Sequence, residues 1–295
     1  MGPLLLHSVS YAGFWGQAYL SLEAFIDKAA DLGFEGVMLM AKRPHLSVLD
    51  YAQAQCETLR RKLEGRGLKH VCLAGYTNFT ADLEHGETPH REMQIQHVTE
   101  LARIASDLGG NVVRIFTGYE NPASTYAAQW KILVDVLREC AQRAAEFGVT
   151  IGVQNHHDIA TGFETMYDLI VEVNHANCRA MFDAWSTYLH GADLDAAARK
   201  LAPLTVHTTV ADYVLRPRYR YHPSVVNYTR ETPLVQAVPM GEGVIDYRGF
   251  LTALADAGFQ GTIAYEMCSP LLCGGSMESL DRCAKTFLAY MDSMR

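Results

Sequence analysis

Four residues able to bind a hard cation or move a proton each close an apolar run. Gln154 follows Ile151-Gly-Val, Asp183 follows Cys178-Arg-Ala-Met-Phe, His207 follows Leu204-Thr-Val, and Glu266 follows Thr262-Ile-Ala-Tyr. Oxygen and imidazole donors without a thiolate suit a divalent metal, with Mn²⁺ first and Mg²⁺, Co²⁺ or Zn²⁺ as alternatives. One polar residue at a strand end is ordinary, because strands end in surface loops. Four in succession predict ligands converging on one mouth. His156 and His157 follow Gln154 at offsets of two and three on the same loop, and imidazole is suited to taking a proton from carbon beside a carbonyl.

Other side chains are placed to line such a mouth. Lys42, Arg43 and His45 follow an apolar run and offer donors to an anionic or polyhydroxy substrate; a solvated turn is the plainer reading. Tyr76, Asn78 and Trp185 follow two further runs, and aromatic rings stack on sugars as well as filling cores. Asp212, a little beyond His207, is positioned to support ligands from behind. Arg114 interrupts Val112–Phe116, and a buried Arg requires a partner, either an internal carboxylate or a substrate. There is no Gly-x-Ser-x-Gly elbow and no Walker loop, and no cysteine sits in a catalytic setting.

These residues need a scaffold that brings strand ends together. Strand-length apolar runs occur at 4–10, 36–40, 70–74, 112–116, 150–154, 179–182, 204–208 and 262–266. Most are continuously apolar, as strands buried on both faces of a parallel sheet should be. Helical patterns separate them at 20–32, 51–63, 90–108, 124–147, 164–173, 194–200, 247–257 and 277–291, several ending at a Gly. The alternation predicts a single-domain (β/α)8 TIM barrel spanning 1–295, and no Gly-x-Gly-x-x-Gly follows the first strand to support a doubly wound sheet. Residues 211–243 break the rhythm. They are rich in Tyr, Arg and Pro, lack a helical period, and are expected to form a long loop or lid over the mouth, with Arg218 reaching substrate.

Composition narrows the classes. The 295 residues are 49% hydrophobic and 20% charged, enough for one full core. A formal charge of −8 argues against nucleic acid as a partner, since such surfaces carry a basic stripe. No apolar stretch approaches bilayer length, so no membrane partner is expected. Seven cysteines without CxxC spacing read as reduced thiols, and a cytoplasmic location is expected.

The motifs Gly148-Val-x-x-x-Val-Gln-Asn-His156, Phe182-Asp183, Val206-His207 with Asp212, Gly241-Glu-Gly-Val-Ile-Asp-Tyr247 and Tyr265-Glu266 resemble the xylose-isomerase-like sugar isomerase/epimerase superfamily along nearly the whole chain. The resemblance implies one divalent metal held by Glu, Asp, His and Glu at the strand ends. By position these are Gln154, Asp183, His207 and Glu266, with Gln where the family usually has Glu. A Gln oxygen can ligate but cannot act as a base. The implied chemistry is proton abstraction α to a carbonyl of a keto sugar through a metal-stabilised enediolate. His156 is expected as base, because the C-glycoside deglycosidase-like branch resembles this chain in placing a His there, with Glu266 as second acid/base or ligand. Isomerisation or epimerisation is the first expectation. A lyase eliminating from a 3-keto-glycoside or keto-cyclitol is the second, and a non-catalytic sugar-binding barrel the third. A phosphodiesterase resembling endonuclease IV is disfavoured by the acidic charge and sparse ligands. Self-association into a homo-oligomer through loop faces is also open.

Overall fold

The computed structural model describes residues 1–295. Eight parallel strands close into a barrel: β1 (Leu4–His7), β2 (Gly36–Met40), β3 (His70–Ala74), β4 (Val112–Ile115), β5 (Thr150–Gln154), β6 (Cys178–Met181), β7 (Thr205–Val210) and β10 (Thr262–Tyr265). The order around the barrel is β1-β10-β7-β6-β5-β4-β3-β2, so each strand pairs with its sequence neighbours and the last closes on the first. Helices α1 (Leu22–Leu32), α2 (Gln53–Gly65), α3 (His90–Asp107), α4 (Tyr126–Ala145), α5 (Phe163–Val173), α6 (Ala184–Leu189), α7 (Leu194–Leu201), α8 (Tyr247–Asp256) and α9 (Met277–Asp292) supply the crossovers. The expected TIM barrel is therefore the fold.

Local chemistry sets the ends of these elements. Ser21 caps α1 by accepting from the Ala24 N–H, and Gly33 ends it with φ +95°, a left-handed conformation natural to glycine. Inward side chains Leu5, Met38, Cys72, Val112, Met181 and Ala264 form an apolar plug inside the barrel, while a larger core lies between strands and helices. The plug closes the lower lumen and leaves polar inward side chains nearer the C-terminal mouth.

Two expectations change. Residues 211–243 are largely not a loop but an antiparallel ribbon of β8 (Asp212–His222) and β9 (Asn227–Val238). Arg216, Arg218 and Arg220 alternate with Pro217, Tyr219 and Tyr221, a period of two rather than of a helix. The pairing slips between Arg216 and Arg218, where Pro217 has no N–H to offer the ladder. Secondly, β7 runs on past His207 to Val210. His207 pairs with Thr262, the first residue of β10, and Thr209 pairs with Ala264. His207 is thus one layer down inside the barrel, not at its mouth.

Candidate active site

The strand ends open onto one cleft with two lobes. The larger, about 630 Å³, is lined by residues that include His7, Tyr76, Arg114 and Phe116. The smaller, about 240 Å³, is lined among others by Asp183, Trp185, Thr209 and Tyr213, with Val235 of the ribbon on its wall. Gln154, His156, Glu266 and Cys268 line both lobes and form the waist between them.

Asn155 explains how β5 and β6 are locked at this level. Its side chain donates to the Asp183 carbonyl at 3.0 Å and accepts from the Asp183 N–H at 2.7 Å, so a buried amide fixes the chain on both sides of the carboxylate. The Asp183 carboxylate then receives three protein donors. Thr209 gives its backbone N–H at 2.8 Å and its hydroxyl at 2.6 Å, and Gln154 gives its side-chain N–H. Burial raises the Asp183 pKa, and these hydrogen bonds work against that rise.

Glu266 is largely buried, facing His7 Nε2 at 3.8 Å and the Cys268 thiol at 3.5 Å. Burial, then the Asp183 charge, push its pKa up to about 7, and Arg114 pulls against them. His7 Nδ1 lies 3.1 Å from the Met38 carbonyl, and burial followed by the Arg114 charge keeps this ring well below the usual histidine range.

At the other side of the waist, His156 Nδ1 accepts the His157 backbone N–H at 2.8 Å and lies 2.6 Å from His157 Nδ1. With Nδ1 engaged as acceptor, the proton of the neutral ring belongs on Nε2. Burial, then the neighbouring His157 and Arg114, lower the His156 pKa to about 4, which keeps the ring neutral. His157 has φ +68°, a conformation costing a non-glycine residue on the order of 1 kcal/mol, and its ring stacks between Phe116 (4.3 Å) and Tyr119 (4.4 Å).

Arg114 is 2% exposed and pairs with no carboxylate. Its guanidinium carbon lies 4.8 Å from the Tyr76 ring centroid and 4.1 Å from that of Phe116, while Nε and Nη1 have no hydrogen-bond partner. The alternative of an internal salt bridge is not what the barrel contains.

The remaining predicted residues divide clearly. Tyr76, His157 and Trp185 line the cleft. Lys42 sits at the rim with its ammonium 4.0 Å over the Tyr76 ring. Arg43 points away into an exposed pair with Asp50 (2.8 Å), and His45 is buried beneath the loop, bound to Ser8 and the Leu20 carbonyl. Neither reaches the cleft. Arg218 lies out on the ribbon, 3.4 Å from Glu231 and away from the residues that line the cleft. Asp212 accepts from Gly241, Gly243 and Tyr213 N–H groups and so pins the root of the ribbon. A Cβ on Gly243 would stand 1.8 Å from that carboxylate, which explains the Gly-Glu-Gly motif.

A divalent metal does not fit this donor set. No group of three His, Cys, Asp or Glu side chains is close enough to hold one. His207, expected as the imidazole ligand, places Nδ1 2.5 Å from the Thr262 hydroxyl in the lower layer. Thr209 occupies its place at the mouth, and its hydrogen is committed to Asp183. Gln154 turns its side-chain N–H toward the same carboxylate.

Sequence reasoning missed His7, Thr209 and Cys268. His7 ends β1 as Gln154 ends β5, so the polar-strand-end signal was present. Thr209 carries no such signal, because Thr is common within strands.

A model of the xylose isomerase-like TIM barrel family matches residues 26–283, and the chain belongs to that family. Among solved structures it is similar to D-psicose 3-epimerase crystallised in the presence of D-fructose (16% identity, TM-score 0.75, 99% of each chain covered). It is also similar to 3-keto-D-glucoside 4-epimerase from E. coli (16%, 0.73, 99% of this chain and 100% of that one). A third is the probable 3-DHS dehydratase of petrobactin synthesis from Bacillus anthracis (18%, 0.71, 98% and 99%). No curated protein matches the sequence.

Proposed function

We propose that this barrel is a keto-sugar isomerase or epimerase that removes a proton from the carbon beside a carbonyl. The observation that carries this reading is the waist, where Glu266 and His156 both face the space shared by the two lobes. Glu266 is the base. His156, which lines both lobes and whose Nδ1 contacts leave the proton on Nε2, acts as hydrogen-bond donor to the carbonyl oxygen, which reverses the role expected from sequence. The C–H pair becomes the carbon–carbon double bond, and the carbonyl π pair moves to oxygen. Glu266 then returns its proton to the neighbouring carbon, while the adjacent hydroxyl proton passes to the former carbonyl oxygen. One base suffices for this shift; inversion at a single carbon requires a second acid on the opposite face. Likeness to sugar epimerases supports the class, at identities that bear on the fold alone.

A second reading is β-elimination from a keto-glycoside or keto-cyclitol. The aromatic smaller lobe, with Trp185 4.5 Å from Tyr213, favours it by offering a separate place for a leaving group. Solvent-deuterium incorporation into ketohexoses, 3-keto-glucosides and inososes, followed by NMR, distinguishes the readings. Deuterium beside the carbonyl with the skeleton intact supports the isomerase or epimerase. An enone with loss of a group supports the lyase, and no exchange on any compound leaves a sugar-binding barrel.

A further inference from the structure

We propose that the cation this site offers to a substrate oxygen is the Arg114 guanidinium, and that the barrel works without a bound metal. The inference deepens the proton-abstraction reading and rests on it for the identity of the oxygen. Two independent observations carry it. The first is that the mouth of the barrel is wired with hydrogens where a metal needs lone pairs: the Gln154 amide, the Thr209 hydroxyl and the Thr209 N–H all point at Asp183. A metal at that carboxylate would meet Thr209 on β7 in place of an imidazole, and Gln154 on β5 only after its amide turned over.

The second is a buried cation in no salt bridge, with the Glu266 and Asp183 carboxylates acting on it only through space. Desolvating a guanidinium outside a salt bridge is costly, and the flanking Tyr76 and Phe116 rings return only part of that cost. Arg114 nevertheless reaches the lining of the larger lobe, and its Nε and Nη1 are buried without a protein partner. No protein acceptor takes those N–H groups, which leaves the guanidinium to a ligand. The matching ligand group is an oxygen that is or becomes anionic: the enolate oxygen formed when Glu266 takes the proton. Guanidinium N–H groups suit such an oxygen because they are fixed, planar and always protonated. Placed in a low-dielectric lobe, they stabilise developing charge without reorganising.

Three measurements on the full-length chain test this. Mn²⁺ titrated into chelator-stripped protein and followed by EPR is expected to show no stoichiometric site. The Gln154→Glu/Thr209→His double variant, which turns both donors into ligands, is the control expected to gain one. A single tight Mn²⁺ equivalent in the wild type, lost in Asp183→Asn, overturns the proposal whatever the double variant does. Arg114→Met is expected to melt no lower than the wild type, because a buried charge held in no salt bridge is exchanged for an apolar chain of similar length. A clear fall in melting temperature would make Arg114 a structural post and defeat the assignment. On any compound that exchanges deuterium, the same variant should lose roughly 10²–10³-fold in rate while EDTA leaves the wild type unchanged. EDTA-sensitive exchange restored by metal would overturn the proposal. Failure of every compound to exchange would instead defeat the proton-abstraction reading, and the EPR and melting results would still judge the cation.

Discussion

Glu266 carries its proton to an unusual pH because it is buried beside Asp183, and the chemistry assigned to it needs the ionised form. With the pKa at about 7, kcat/KM should rise with pH through that value and level off above it. A profile flat from pH 5 to 9 would remove Glu266 as the base, as would substantial exchange by Glu266→Gln. Thr209 illustrates the other half of the site. Its hydroxyl and N–H serve Asp183 inside the barrel, so Thr209→Val should strip one donor from a buried carboxylate. The expected cost is about 1–3 kcal/mol in a urea titration, and a neutral result would mean that Gln154 and the backbone N–H of residue 209 suffice for Asp183. The sequence displays Gln154, Asp183 and Glu266 as polar residues ending apolar runs. It also displays His207 in that way, misleadingly, because a local run does not reveal that β7 continues to Val210. Register against β10 decides which of two same-facing residues reaches the mouth, and register is a property of the pair of strands.

At the scale of elements, strand and helix positions are legible because a doubly covered parallel strand must be apolar throughout. Helices that pack one face must repeat at 3.6 residues. The ribbon escapes that logic. Neither face of its outer half packs on the barrel, and Tyr219, Tyr221, Val225, Val226 and Tyr228 are exposed, so its alternation marks no buried side. Asp212 and the glycines of 241–243 hold only its root. Replacing residues 216–234 with a short turn between the paired Leu215 and Val235 should therefore cost under about 1 kcal/mol, a few degrees at most in melting temperature. A larger loss that varied with protein concentration would show that the tyrosines are buried in an assembly.

For the whole molecule, closure of the barrel leaves interior groups in protonation states unlike those they hold when unfolded, and stability must follow pH accordingly. Two residues of the same lumen should act with opposite sign. Glu266 has a folded pKa of about 7 against an ordinary 4.5, so the folded state binds the extra proton between those values. Raising the pH through that window strips it and destabilises the wild type by about 1.4 kcal/mol per unit relative to Glu266→Gln, with no further change above about 7. His207 is depressed to about 3 from 6.5 by burial and then by the Arg114 charge. There the unfolded chain binds the proton first, so stability present above about 6.5 is lost as the pH falls. Relative to His207→Asn, the wild type should weaken by about 1.4 kcal/mol for each unit below that value, offset by a constant for the lost Thr262 hydrogen bond. Urea denaturation of the three proteins from pH 4.5 to 8 reads both slopes. Parallel curves for wild type and Glu266→Gln would mean that the carboxyl titrates normally in the folded barrel. Parallel curves for wild type and His207→Asn would mean that water reaches the lower layer and solvates the ring.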